Sequence, residues 1–180
     1  MRHEVASFRP CRRHTALLPL LLVLAAGSPL GAQLSVGLGG TGQHLSSDWW
    51  THDMLGPSGD LGVRVSRRWD LTTRLQHVGY QGGNEEPIGF TTLDVGAQYH
   101  LTSSTSRRLQ GMLGFGLGLW ARDEYDAGGA GWTAYGHLRL NAWVWSEVGV
   151  FAETLVRGFS DEQGGGSLGL TLGLALRTGS

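Results

Sequence analysis

Four groups of residues have the types that could do chemistry. His44, Asp48, His52 and Asp53 carry the side chains that ligate zinc. Their spacing fits no recognised site, so a solvated loop is the better reading and no metal is expected. Gly37-Leu38-Gly39-Gly40-Thr41-Gly42 matches GxGxxG. A dinucleotide site needs a strand before that run and a helix after it. Here Ser46-Ser47-Asp48-Trp49-Trp50 follows, so the run reads as a glycine-rich strand and no cofactor is expected. Asp123-Glu124-Tyr125-Asp126 offers hard oxygens to a divalent cation but lacks the spacing of a calcium loop. His137, Arg139 and Glu153 could work as acid, base and charge partner, or could pair structurally.

The composition narrows the choice. The chain has 180 residues with 30 Gly, 7 Trp and 1 Cys, and no Lys. Gly is far above the usual ~7%. A lone Cys11 excludes an internal disulfide framework and a CxxC zinc site. A net charge of −1 gives no reason to expect nucleic-acid binding. Arg2, Arg9, Arg12 and Arg13 precede the apolar run Ala16 to Ala26, and small residues follow up to Ala32. That order predicts a secretory signal peptide over 1–32, cleaved after Ala32. The run is too short for a spanning helix, which needs about 20 apolar residues. Residues 33–180 would form one domain of 148 residues with 10 Arg, 14 acids and no Cys.

The elements that must position these residues are strands. Leu168, Leu170, Leu172, Leu174 and Leu176 alternate with Gly169, Thr171, Gly173, Ala175 and Arg177. Period two puts Leu on one face and small or polar residues on the other. Seven further segments alternate, near 33–45, 59–68, 71–80, 90–101, 109–120, 132–144 and 147–158. Long connections are expected near 46–58, 81–89, 121–131 and 159–166, and short ones near 67–70, 102–107 and 144–146. Eight strands with two unlike ends predict an all-β, eight-stranded antiparallel up-and-down transmembrane β-barrel.

Polarity tells which face is outside. One parity is Leu, Val, Ala and Phe. The other carries Arg64, Arg74, Gln76, Asp94, Gln98, His137, Arg139, Asn141, Glu153 and Arg157. Those ten cannot share a dry core, but in a narrow lumen they can pair. Inward glycines of the fifth and eighth segments leave room for long Arg and Tyr side chains. Val78 and Phe151 break the parity; a bulge would accommodate Val78. Aromatics are expected to form two membrane-interface girdles. Trp49, Trp50, Tyr80, Phe90, Trp120, Trp132 and Phe159 belong to the long-loop end; Trp69, Tyr99, Trp143 and Trp145 to the short-turn end. The long connections carry Asp48, Asp53, Glu85, Glu86, Asp123, Glu124, Asp126, Asp161 and Glu162, whereas short turns carry Arg67, Arg68, Arg107 and Arg108. The acidic end reads as extracellular.

On signal peptide, strand count, loop alternation and the final leucine ladder, residues 33–177 resemble the small outer-membrane barrel family of OmpA/OmpX type. The resemblance implies a bacterial outer-membrane, porin-like cell-envelope protein. Its partners would be outer-membrane lipid, lipopolysaccharide and the barrel-assembly machinery. Family members often end in an aromatic residue read by that machinery; this chain ends Leu176-Arg177-Thr178-Gly179-Ser180. Some small barrels hydrolyse lipid A acyl esters with a His-x-Ser pair on a strand. Where His137 stands the chain reads His137-Leu138-Arg139, without the nucleophile. The expected function is therefore non-enzymatic: structural, or surface interaction through the acidic loops. A lipid A acyl hydrolase and a narrow channel or ligand-binding barrel are the alternatives.

Overall fold

The computed structural model describes residues 33–47, 51–80, 88–101, 108–123, 129–160 and 165–178. The expected leader over 1–32 and the aromatics Trp49 and Trp50 lie outside the described residues. Eight strands follow one another: β1 (Leu34–Ser47), β2 (Thr51–Arg64), β3 (Trp69–Tyr80), β4 (Ile88–His100), β5 (Leu109–Asp123), β6 (Gly129–Trp143), β7 (Val148–Ser160) and β8 (Gly165–Arg177). Each pairs antiparallel with its neighbours, and β1 closes on β8 to give a barrel in sequence order. The closing ladder is continuous from Ser35↔Arg177 to Ser47↔Gly165. Closure removes the two free edges that an open eight-stranded sheet would expose.

Alternation places the apolar parity outside. Leu113, Phe115, Leu117 and Leu119 of β5 and the ladder Leu168 to Leu176 of β8 are all exposed. Leu109 to Leu119 covers ten strand steps of ~3.3 Å, which at a tilt of ~40° stands ~25 Å tall, the height of an outer-membrane apolar band.

Several expectations change. The strands are longer, and the connections shorter, than the hydrophobic pattern implies. β1 and β2 are joined through 48–50 alone, not through a loop over 46–58. Thr51 to Ser58 have no apolar period, yet they complete the ladder with β1 from Ser46↔Thr51 to Gly40↔Pro57. Pro57 lacks an N–H, and the β2–β3 ladder is interrupted there, between Leu55↔Gly79 and Ser58↔Gln76. The alternation of long and short connections also disappears. Residues 161–164 join β7 to β8, while 101–108, on the end expected to have tight turns, join β4 to β5. Val78 needs no bulge: β3 and β4 stay in register from Trp69↔Tyr99 to Tyr80↔Ile88, and Val78 points inward. Phe151 also points inward, beneath the Arg139 guanidinium at 3.8 Å.

The lumen is filled in three zones. Towards the ends joined by 48–50, 81–87, 124–128 and 161–164 it is apolar, with Leu45, Met54, Val78, Phe90 and Trp120 buried together and Tyr80, Ile88 and Phe159 packed against them. Its middle is polar. At the opposite end, where Thr178 N donates to Leu34 O and both termini of the barrel lie, Trp143, Phe151 and Ala175 form a second small cluster.

Candidate functional site

The polar zone is the most concentrated chemistry in the barrel. All ten polar residues of the inward parity line it. Nine are buried, and Arg64 at the rim is half-buried. Their ion pairs are struts across the barrel. Arg139 Nη1 donates to Asp60 Oδ1, joining β6 to β2. Arg74 Nη2 donates to Glu153 Oε2 at 2.7 Å, joining β3 to β7. Arg157 Nη2 donates to Asp94 Oδ2, joining β7 to β4. In a ring of eight, the first two pairs connect opposite walls.

Amides and hydroxyls carry the network round the wall. Arg139 Nε donates to Asn141 Oδ1 at 2.9 Å. Gln76 Nε2 donates to Gln43 Oε1 at 2.9 Å, and Gln43 donates onward to Ser167. Thr41 and Thr171 share a hydrogen bond of 2.7 Å across the β1–β8 seam. His137 Nε2 lies 3.2 Å from Gln98 Oε1. The Tyr135 ring has Arg74 at 5.7 Å and Arg157 at 6.0 Å, within the range of cation–π attraction.

Glycine makes this crowding possible. Gly114, Gly116 and Gly118 face the lumen on β5. A Cβ at Gly116 would sit 2.7 Å from the Tyr135 hydroxyl, and one at Gly114 or Gly118 would collide with His137 or Asp94. A side chain there and the long residue opposite exclude each other.

At the termini-bearing end Asp70 accepts from Arg64 Nε and bonds His100 Nε2 at 2.7 Å. Above them a cavity of ≈ 30 Å³ is lined by Arg64, Asp70, Arg74, His100 and Arg139 among others. A water needs ~10–15 Å³ of such space, so the cavity has room for about two waters and none for a substrate.

Parity was enough to place the ten lumen residues inward. The same parity holds for Asp60, Asp70, His100, Gln43 and Tyr135, which belong to the same network. Asp60 shares the parity of Gly62 and Arg64, so the signal was present. The aromatic girdles need correction. Phe90, Trp120, Trp143 and Phe159 lie on inward parities and fill the lumen, and Tyr80 packs against the same apolar cluster. Position near a strand end does not decide orientation; parity does. Trp69 and Trp132 are exposed on the outer face, Trp145 is exposed in the connection between β6 and β7, and Tyr99 joins Trp69 at 5.0 Å. Tyr99 also accepts from Arg68 Nη1 at 2.7 Å.

His44 and Asp53 are not loop residues. They are register partners on β1 and β2, exposed on the outer face, with Nδ1 and Oδ1 2.7 Å apart. Asp48 lies outside the described residues, and His52 faces the opposite way to Asp53, against Tyr80 at 4.7 Å. Among the described residues no group of three or more His, Cys, Asp or Glu could hold a metal ion. Of the acidic connections, Glu85, Glu86, Glu124, Asp126, Asp161 and Glu162 lie outside the described residues.

No protein-family model matches the chain, and no curated protein matches it in sequence. Solved structures do match in fold. Neisserial surface protein A is 14% identical, covers 81% of this chain and 98% of its own, and superposes with a TM-score of 0.70. OprG from Pseudomonas aeruginosa is 9% identical over 83% of this chain and 97% of its own, with a TM-score of 0.59. Ail, the attachment invasion locus protein of Yersinia pestis, is 11% identical over 82% and 99%, with a TM-score of 0.56. At these identities the likeness is one of fold: this chain has the closed eight-stranded barrel of small outer-membrane proteins.

Proposed function

We propose that the chain is an exported outer-membrane barrel whose lumen is a structural core, and whose role is structural or one of surface interaction. The leader over 1–32 is removed near Ala32. The mature barrel stands in outer-membrane lipid and lipopolysaccharide after insertion by the barrel-assembly machinery. The termini and Arg67, Arg68 and Arg108 face the periplasm, and the acidic connections face outwards. One observation carries this reading: the lumen is spanned by Arg139–Asp60, Arg74–Glu153 and Arg157–Asp94 and is closed above them by the Phe90–Trp120 cluster. Charges that pair with one another across a lumen are spent on the barrel itself and leave no path for a solute. A surface role draws support from the neighbours. One is named a surface protein, another an attachment invasion locus protein, also solved with the heparin analogue sucrose octasulfate.

Two measurements test the proposal on protein extracted from membranes. Unboiled and boiled samples are compared on a denaturing gel, and folded protein is added to planar bilayers. A heat-dependent mobility shift with no stable single-channel conductance is expected. Recovery in the soluble periplasmic fraction, or steady conductance, would refute it.

A further inference from the structure

The termini-bearing end carries an exposed cation that the lumen network does not use. Arg68 lies in the connection between β2 and β3. Ser66 holds that turn, its hydroxyl accepting from Arg68 N at 3.4 Å and from Trp69 N at 3.2 Å. Val65 N donates to Trp69 O at 3.0 Å, and the Arg68 carbonyl accepts from His100 N at 2.9 Å. The backbone beneath the side chain is therefore tied to β4 before any ligand arrives. The side chain reaches Tyr99, which shares the outward parity of Val95. Arg68 Nη1 donates to the Tyr99 hydroxyl at 2.7 Å, and the guanidinium carbon lies 5.9 Å from the centre of that ring. This bond uses one of the five N–H donors of a guanidinium. Among the described residues no carboxylate pairs with Arg68.

The surroundings fix the class of ligand. Trp69 is the register partner of Tyr99, and Tyr99 of Leu113, so Arg68 sits beside the row that ends the apolar band. Trp69 lies edge-on to Tyr99 at 5.0 Å and to the exposed Phe115 at 6.4 Å. One side of this row is therefore an apolar ridge on the outer wall. The other side is cationic, with Arg67, Arg68 and Arg108 all exposed. Glu147, also exposed, stands in the connection between β6 and β7, across the ring of eight from Arg68. The matching ligand has anionic oxygens for a guanidinium fork and an apolar chain for the ridge, which describes a phosphate ester of an acyl lipid. A headgroup bearing an amine would bring its own cation among these arginines, whereas a headgroup without one would not.

We propose that Arg68, Tyr99 and Trp69 form a binding site for an anionic glycerophospholipid of the periplasmic leaflet. The site rests on the reading above that the outer face stands in lipid and that the termini-bearing end faces the periplasm. Arg68 Nε and Nη2 present the fork that two phosphate oxygens match. Tyr99 is a positioning residue, since its hydroxyl holds Nη1 and so aims the fork along the wall. The Trp69 indole N–H has no acceptor among the described residues and donates to an ester carbonyl of the same lipid, while the acyl chain lies along Trp69 and Phe115. Arg67 and Arg108 add to the local positive field without touching the phosphate.

The test uses the purified folded barrel. In micelles it is given equimolar phosphatidylglycerol and phosphatidylethanolamine, and bound lipid is counted by native mass spectrometry. Phosphatidylglycerol should be preferred about fivefold, the contribution of one arginine at an anionic lipid surface. R68Q should remove most of the preference, and R68K, which keeps the charge without the fork, should keep part of it. R67Q alters the same turn but no aromatic contact, and should change the preference by less than about twofold. Y99F should lower it by about twofold or more while the heat-dependent gel shift stays as in the wild type. In vesicles containing both lipids, brominated phosphatidylglycerol should quench tryptophan fluorescence more than brominated phosphatidylethanolamine, and W69F should abolish the excess. Equal binding of the two lipids, a preference unchanged in R68Q, or one lowered as much by R67Q as by R68Q overturns the site and leaves the outer face in lipid. No quenching by either brominated lipid overturns both the site and the membrane reading on which it rests.

Discussion

At the residue scale the decisive fact is that charges face each other across a lumen too narrow for bulk water. Arg157 and Asp94 are both fully buried. Each loses its hydration, and only the partner compensates. Removing one partner is therefore worse than removing both. Arg157→Met should lower unfolding stability by about 3–5 kcal/mol, because Asp94 is left buried and unpaired. The double variant Arg157→Met with Asp94→Asn should recover much of that loss. Urea titration of barrels in micelles gives both values, and equal losses would show that the unpaired Asp94 carboxylate is not the source of the cost. Arg139→Leu should behave like Arg157→Met, since it strips Asp60 and Asn141 of their donor. Glycines make the complementary case. Gly116→Val should prevent closure, since its side chain would occupy the space of the Tyr135 hydroxyl and the Val95 carbonyl. Gly40→Ala on the outer face should fold normally. Recovery of heat-shifted protein after refolding distinguishes them.

At the element scale, strand ends explain most of what was misplaced. Hydrophobic alternation marks a strand only where one face meets lipid. Beyond the band both faces are polar or mixed, as in Thr51 to Asp53 and Ser46. The backbone ladder continues there regardless, because every N–H and C=O still needs a partner. Extended ends are what bring His44 and Asp53 into register, which a loop would not do. The same ends carry the apolar closure of the lumen. Phe90 and Trp120 stack at 5.3 Å, with Phe159 edge-on to Phe90 at 5.0 Å. Trp120→Ala should cost about 3–5 kcal/mol as a large buried truncation. It should leave the polar struts intact, so conductance should stay at background while the urea midpoint falls. A conducting Trp120→Ala barrel would mean that this cluster alone blocks the lumen.

At the scale of the whole molecule the barrel is turned inside out relative to a soluble one. The exposed surface is leucine and valine, and the buried set is rich in Arg, Asp, Glu, Gln and Thr. A charge on the outer face should be costly in proportion to its depth. Leu117→Arg, in the middle of β5, should destabilise by ~2–4 kcal/mol, whereas a charge at Thr178 should be nearly neutral. Tryptophans report the same geometry. Trp132 and Trp145 are 66% and 68% exposed, while Trp120 and Trp143 are each 6% exposed. In bilayers of brominated lipid, single-Trp variants retaining Trp132 or Trp145 should be strongly quenched. Those retaining Trp120 or Trp143 should be quenched little. The reverse ranking would place the faces wrongly.

The sequence by itself determined fold class, strand count and the inward parity of Arg64, Arg74, Asp94, Arg139, Glu153 and Arg157. All three follow from a local rule, the two-residue period, acting on residues of opposite polarity. It held the orientation of Phe90, Trp120 and Trp143 too, although closeness to a strand end concealed it. Only the tertiary structure decided which charges pair, where strands stop and which outer residues meet. Arg139 finds Asp60 and Arg74 finds Glu153 because closure sets β2 against β6 and β3 against β7. His44 finds Asp53 because the β1–β2 register runs past the end of the apolar pattern. Period two fixes the side of a strand on which a residue lies. Register and closure fix what it meets there, and they depend on the partner strand's backbone, which no local pattern encodes.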